Sequence, residues 1–264
     1  MYHGSKSSTL VTRFHESRTL QRVRLVTHLA KHRYAADGGY QRGEETRARI
    51  VAVALELFGE HGFEGISTRD IAARASVNAP ALPYYFDSKE GLYIACLQRV
   101  ITRFWAFMKE VVDEAESALA RDASDPEIIE AFCAVQMRLA ELACDEDAQN
   151  WRRLLERQQA DLGPSFALQA YTEGVTQRMF SVMVAVVARL LGTSTKSPET
   201  LVRTLALGGQ LTILQSMPRT TLSVLKRERI GTEELALFKR VVREHTTVVL
   251  QSLTQAAWRT STVR

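Results

Sequence analysis

The sequence predicts an all-α protein, a small three-helix unit followed by a larger helical bundle, and three observations carry that expectation. From Glu44 onward apolar residues recur three and four apart, the period of a helix buried on one face. No stretch alternates with period two over a useful length, and no repeat of solenoid period occurs. Helix start and stop signals punctuate the pattern: Ser67, Ser88 and Pro198 at beginnings, Gly62, Gly163-Pro164 and Gly192 at ends.

Composition sets the bounds. The 264 residues, 45% hydrophobic and 24% charged, suit a soluble globular chain with one sizeable core and a small appended domain. Cys96, Cys133 and Cys144 are too scattered for a disulfide framework or a CxxC metal clip, which fits a reducing cytoplasm, and they read as small core residues. The longest apolar run, Phe180 to Leu191, is interrupted by Arg189 and is shorter than the roughly 20 residues that span a bilayer, so no membrane association is expected. The formal charge of +4 is unevenly placed: residues 1–43 hold eight Lys and Arg against Glu16 and Asp37, which leaves the rest of the chain net acidic.

The elements follow in order. Residues 1–43 show no sustained period, end in the turn-like DGGYQRG and read as a mostly disordered leader. Three readings of that Arg-rich stretch remain open: a basic arm that touches phosphates, a transit peptide, or translated sequence upstream of a misplaced start. The first helix places Ile50, Ala54, Leu57 and Phe58 on one face and stops at Gly62. The second starts at Ser67, where Ser67 and Asp70 have capping-box spacing, and buries the small trio Ile71, Ala72 and Ala75, which permits close helix contact. After the turn Ala75–Asn78 comes a short helix carrying Pro80 and Pro83. Ser88 then caps a long helix through Leu92, Cys96, Val100 and Phe104. Further helical patterns run over 126–143, 146–160, 165–191, 198–216 and 232–258, with a short one before the last.

Two helices joined by a short turn, packed on a third, form a helix-turn-helix, whose second member enters the major groove. Residues 46–93 resemble the amino-terminal domain of TetR/AcrR-family transcriptional regulators. The resemblance is carried by Ala54, Leu57-Phe58, His61-Gly62-Phe63, Thr68, Ile71-Ala72, Ala75, Val77, Leu82, Tyr85-Phe86, Lys89-Glu90 and Leu92. Between Asn150 and Leu253 the chain is similar to the CecR-like branch of that family, through WRRLLERQQADLGPSF (151–166) and LALGGQLTILQSMPRTTL (205–222). The resemblance implies a regulator of transport or efflux genes that is released by a small molecule. It divides the chain into the leader (1–43), a helix-turn-helix DNA-binding domain (44–93) and a helical-bundle ligand-binding and dimerisation domain (94–264).

Two residues depart from the family pattern. Ser76 stands where Gly is usual in the turn, and a non-Gly residue there carries strain or alters the turn. Pro83 follows Leu82 where Tyr or Asn is common. With Asn78 as N-cap, Pro80 falls in the tolerant first turn. Pro83 would then be the fifth helical residue, deleting a hydrogen bond to the Ala79 carbonyl and pushing Leu82 out of the α region. At about 3 kcal/mol for an interior proline, the expectation is a short, tightened or kinked reading helix. Its Ala79, Pro80, Ala81 and Pro83 would offer the groove an apolar surface able to touch thymine methyl groups, leaving base-specific hydrogen bonds to Asn78, Arg69 and Tyr84 and more weight on DNA shape. Thr68, Tyr85 and Lys89 are the expected phosphate contacts. The alternative is a chain that kept the fold, lost sequence-specific DNA binding and serves as a ligand or protein interaction module.

Downstream, Met108, Phe132, Trp151, Met179 and Met183 are candidates for the wall of an effector pocket, set against the commoner role of such side chains as plain core. The last helix spaces Leu235, Phe238, Val242, His245, Val249 and Leu253 three or four apart. With Leu201, Leu205 and Leu211 this stripe suits half of a four-helix homodimer interface, which would bring two reading helices to successive major grooves of a double-stranded, pseudo-palindromic operator. Four of the six histidines lie in the leader and none forms an HExxH, while GxSxG, Walker A and GxGxxG are absent. Neither an enzyme, a metal site nor a cofactor is expected.

Overall fold

The computed structural model describes residues 37–145, 148–160, 163–212 and 218–261. The expectations for the leader up to residue 36, for a helix start at Glu146 and for a helix end at Ser216 lie outside these. By contacts the chain separates into a unit up to Arg47, which holds the first residues of helix α1, and a unit from Ala48 onward, which holds the core and every candidate site. The regular secondary structure of the described residues is all helical and includes no strand.

Helix α1 spans Asp37–His61, so residues 37–43 are helical rather than turn-like. A Gly in a helix costs about 1 kcal/mol relative to Ala. Once the amphipathic run has nucleated the helix, however, each added residue contributes a hydrogen bond, and the helix extends back through Gly38-Gly39. Helices α2 (Thr68–Arg74) and α3 (Leu82–Phe86) follow, with a 3₁₀ turn at Ala79–Ala81 between them. The long α4 (Lys89–Ala120) joins this head to α5 (Asp125–Cys144), α6 (Gln149–Gln159) and α7 (Ser165–Tyr171).

A π-helical segment, Thr172–Thr176, continues α7 into α8 (Gln177–Leu191), where one uninterrupted helix was expected. The wider turn leaves the Gly174 carbonyl to accept a hydrogen bond from Trp105 Nε1 at 2.5 Å. A Cβ on Gly174 would meet Ile101 Cδ1 at 2.5 Å, so any larger residue there would force the Ile101 side chain of α4 to shift. The helical stretch Ser165–Leu191 is long and apolar enough by composition to cross a bilayer. Here its Val182, Met183, Val186, Val187 and Leu190 are buried in the protein core. Gly192 ends α8 in the left-handed conformation, φ 63°.

Helix α9 spans Pro198–Gly209 and closes on the Gly208-Gly209 pair, residues of low helix propensity. Helices α10 (Pro218–Leu225) and α11 (Thr232–Ser261) complete the bundle. Helix α4 packs on α5, α5 on α11, and α8 on both α9 and α11. One continuous core runs from Ile50 in α1 through Leu82, Phe104, Phe132 and Val186 to Leu253, so the small head and the bundle share buried surface. Cys96 and Cys133 belong to it, and burial pushes the Cys133 thiol up. A buried polar layer aligns the bundle: Gln136 donates to the Leu207 carbonyl at 2.9 Å and accepts from Thr246 at 2.8 Å, while Gln210 donates to Thr246 at 3.2 Å. Such fully satisfied networks disfavour sliding of one helix past another.

Candidate nucleic-acid interface

The start of α2 is sealed by local chemistry. Ser67, extended at φ −97° and ψ 158°, accepts from the Asp70 N–H at 3.2 Å, and the Asp70 carboxylate accepts from the Ser67 N–H at 2.9 Å. The Ser67 hydroxyl also donates to the Asp70 carboxylate, and that bond first, with the Ser67 N–H second, holds the Asp70 carboxyl below the usual carboxylate range. Inward-facing Ile71 and Ala72 fix α2 on the core, and Arg49 Nε of α1 donates to the Ala75 carbonyl at 3.1 Å, closing the other end. Thr68 is half-buried in the first turn and Arg69 beside it is exposed.

The turn carries the strain that its missing glycine implies: Ser76 sits at φ 53°. An L-residue there costs on the order of 1–2 kcal/mol. The chain then enters the reading segment with Asn78 as N-cap, but the Asn78 side chain makes no capping hydrogen bond, and Pro80 lies in the first turn of the 3₁₀ stretch.

Pro83 is where sequence and structure differ most usefully. It is not the interior residue of one helix, because the Leu82 N–H has already closed onto the Ala79 carbonyl in 3₁₀ fashion and a new α-turn begins at Leu82. Pro83 is the second residue of that turn, where no intrahelical partner is needed for an N–H, so the cost of an interior proline does not arise. Nor is Leu82 displaced: it stays in the α region at φ −58°, ψ −46°. Its side chain is 3% exposed in the core, and that burial offsets the preference of a pre-proline residue for extended backbone.

Leu82 and Phe86 are the buried anchors of the segment, and every other side chain is left at least partly outward. Asn78, Pro80, Pro83 and Tyr84 are exposed, Tyr84 at 83%, while Ala79, Ala81 and Tyr85 are half-buried. The Tyr84 ring stands edge-on to Tyr85 with centroids 5.3 Å apart. Asp87, at φ 58° and ψ −46°, ends the segment in a γ-turn whose Ser88 N–H donates to the Phe86 carbonyl at 2.5 Å. Ser88 then caps α4 by accepting from the Gly91 N–H at 3.1 Å. Lys89, in the first turn, holds its ammonium 4.4 Å from the Phe63 ring centroid, so the cation is already placed on an aromatic face.

All ten residues expected to touch DNA thus lie on α2, the reading segment and the first turn of α4. The other expected sites are distributed differently. Met108, Phe132, Trp151 and Met183 are buried and Met179 half-buried, on α4, α5, α6 and α8 around the shared core. Two surface clefts, of about 520 Å³ around Gly59, Arg153 and Arg157 and about 560 Å³ around Lys109 and Glu110, are lined by none of them.

Burial within the chain divides the expected dimer stripe. Leu211, Val242 and Leu253 are buried in their own chain, and Leu235 and Phe238 pack against the cluster of Met137 and Ala140 of α5. Leu201 is half-buried, whereas Leu205, His245 and Val249 are exposed. The apolar groups turned outward on these helices also include Val202 of α9 and Leu237 and Val248 of α11. Among the described residues no group of three or more His, Cys, Asp and Glu is placed to hold a metal ion.

Sequence reasoning also missed Arg153, Arg157 and Phe166, which bring α6 and α7 against the head. Arg157 Nε and Nη2 donate to the carbonyls of Gly59 and Glu60 at 3.0 and 2.9 Å. For Arg153 and Arg157 the one sequence signal is the clustering of arginines on the short helix α6; Phe166 on α7 has none.

Comparison with known proteins gives two family matches. Residues 50–96 match the profile of bacterial regulatory proteins of the tetR family. Residues 127–253 match that of the C-terminal domain of the HTH-type transcriptional dual regulator CecR. The CecR protein of Shigella flexneri is 29% identical over 215 residues, which cover 81% of this chain and 95% of that protein. The transcriptional repressor NicS of Pseudomonas putida is 33% identical over 87 residues, 33% of this chain and 37% of that one. A solved transcriptional regulator from Rhodococcus superposes with a TM-score of 0.52 at 19% identity, over 78% of this chain and 96% of that one, and so shares the fold.

Proposed function

We propose, from the premise that this chain belongs to the TetR family of DNA-binding transcriptional regulators with a C-terminal domain of the CecR type, that it is a cytoplasmic repressor. It binds a pseudo-palindromic operator as a homodimer and is released by a small apolar effector. The observation that carries this reading is the reading segment itself. Leu82 and Phe86 anchor it in the core, so Asn78, Pro80, Pro83 and Tyr84 are held outward on a fixed backbone.

The surface so formed is poor in donors. Pro80 and Pro83 offer only ring methylenes, suited to thymine methyl groups, and Asn78, Arg69 and the Tyr84 hydroxyl supply the hydrogen bonds to base edges. Thr68, Tyr85 and Lys89 flank this surface for phosphate contact. Lys89 would leave or share the Phe63 face to reach a phosphate. The intact geometry of the head weighs against the reading in which DNA binding was lost.

The dimer surface is placed on the outward faces of α9 and α11, with Val202, Leu205, Leu237, His245, Val248 and Val249, since Leu211, Val242 and Leu253 already serve the chain's own core. The effector site is placed among Met108, Phe132, Trp151, Met179 and Met183. These side chains come from four helices and meet the same core, so an apolar molecule inserted between them would shift helices that also carry the head. The reading contains no catalytic step.

Fluorescence anisotropy with the duplex upstream of its own coding sequence, against a scrambled duplex across a salt series, tests the proposal. Preferential, salt-sensitive binding with two protomers per duplex is expected. Equal affinity for both duplexes at every salt concentration would sink it.

A further inference from the structure

We infer that Arg157, far from the DNA-facing surface, sets the angle at which the head is held and therefore the spacing between half-sites that the protein accepts. This rests on the reading of the chain as a dimeric operator-binding protein.

The argument begins at the end of α1. The last carbonyls of a helix have no intrahelical donor and carry its negative pole. In α1 the Phe58 carbonyl is taken by the Gly62 N–H at 2.9 Å, and the next two, Gly59 and Glu60, are taken by the Arg157 fork. A guanidinium can bridge two adjacent carbonyls with fixed geometry, which a lysine ammonium cannot reproduce. Gly62 turns away at φ 77°, and a Cβ there would lie 3.1 Å from Arg157 Nη1, so the arginine fills the space above the turn. One helical turn earlier, Arg153 Nη1 lies 3.4 Å from the Glu60 carboxylate on the exposed rim.

A second grip acts beyond the turn. Phe166 of α7 stands edge-on to Phe63 and Tyr93, with centroids 5.4 and 5.9 Å away. The Tyr93 hydroxyl donates to Gln158 Oε1 at 3.3 Å, and Gln158 donates to the Pro164 carbonyl at 3.3 Å. Arg157 and Phe166 therefore hold the corner between α1 and α2 from two sides, and α2 begins six residues beyond Gly62. Rotation of that corner on α6 would carry α2 and the reading segment with it. In a two-fold dimer it would change the separation and mutual rotation of the two reading segments. Adding one base pair between half-sites shifts them by about 3.4 Å and turns them by roughly 35°. A rigidly held head rejects that change, and a loosened one follows it.

The test uses the full-length protein, its promoter operator, and operators with one base pair inserted or removed at the centre. Wild-type protein is expected to lose about tenfold in affinity on either change, the scale of one hydrogen bond to a charged group, and Arg157→Lys and Arg157→Ala only about twofold. Arg153→Ala, which removes only the rim ion pair, should keep the wild-type spacing profile. A duplex with a single half-site should bind wild type and Arg157→Lys alike, because the reading surface is untouched.

If Arg157→Lys discriminates spacing as wild type does, the inference is overturned, whether or not Arg157→Ala folds. It is also overturned if Arg157→Lys weakens single half-site binding as much as it weakens the operator. Absence of promoter preference in the wild-type protein is a different result and removes the dimeric reading instead.

Discussion

Helix α2 and the reading segment that follows it are of nearly the same length and are built on opposite principles. Helix α2 is closed by its own side chains: the reciprocal Ser67–Asp70 cap at one end and Arg49 on the Ala75 carbonyl at the other. The reading segment has no side-chain cap on either of its two short turns and is held by the burial of Leu82 and Phe86. The contrast teaches that a contact surface need not be a well-formed helix. A segment stripped of local stabilisation can still be fixed in place when two of its side chains reach the common core, and its remaining side chains are then free for recognition.

Exchanging the supports would break the comparison. Leu82→Ala should have the largest effect, a loss of about 2–5 kcal/mol in denaturant unfolding, because it deletes the buried side chain where the two reading turns meet. Ser67→Ala should cost about 1 kcal/mol through the lost cap, whereas Asn78→Ala, whose side chain caps nothing, should stay within about 0.5 kcal/mol. The same Asn78 change is expected to weaken promoter binding in the anisotropy experiment. If both substitutions destabilised equally, the distinction between the two regions would be lost.

Pro83→Ala sharpens the comparison. An interior proline would make this change stabilising by several kcal/mol. A proline in a first turn that already matches its φ should instead leave the alanine variant about 0.4–1 kcal/mol less stable, through the freer unfolded chain. The smallest effect is set by pH. Asp70 has a lowered carboxyl pKa in the folded head, so its contribution is present above the ordinary carboxylate value and is lost as pH falls through the lower folded value. The gap in stability between wild type and Ser67→Ala should therefore narrow as pH falls below the ordinary carboxylate value of about 4. A gap constant over that range would show that the Ser67–Asp70 bonds are not linked to the titration.

Much of this fold was legible in the sequence because helix periodicity and caps are local signals. The Ser67–Asp70 box, the Gly62 and Gly192 stops and the start of α4 at Ser88 all follow from neighbouring residues. Where partners are distant, local signals fall short. The stripe of Leu235, Phe238 and Val242 shows which face of α11 is buried, but not that Met137 and Ala140 of its own chain cover it. The fork of Arg157 on Gly59 and Glu60 joins residues nearly a hundred positions apart, and no pattern in either stretch announces the other. The reading segment is too short for periodicity to decide between one helix broken by Pro83 and two turns meeting at Leu82. Only the burial of Leu82 resolves it.

The residues at both ends of that segment, Ser76 at φ 53° and Asp87 at φ 58°, lie in the left-handed half of backbone space. They bracket ten residues, 77 to 86, between two abrupt changes of chain direction, and the buried Leu82 and Phe86, with Val77, Ala79 and Tyr85 packed against the same core, tie the stretch to the rest of the molecule. Such a bracketed piece is exchangeable. Its outward residues can drift or be replaced wholesale, acquiring new operator preferences without renegotiating the core, provided a leucine-sized and a phenylalanine-sized group remain where Leu82 and Phe86 now stand. Its defined ends make the segment a natural unit for transplanting recognition from one regulator to another.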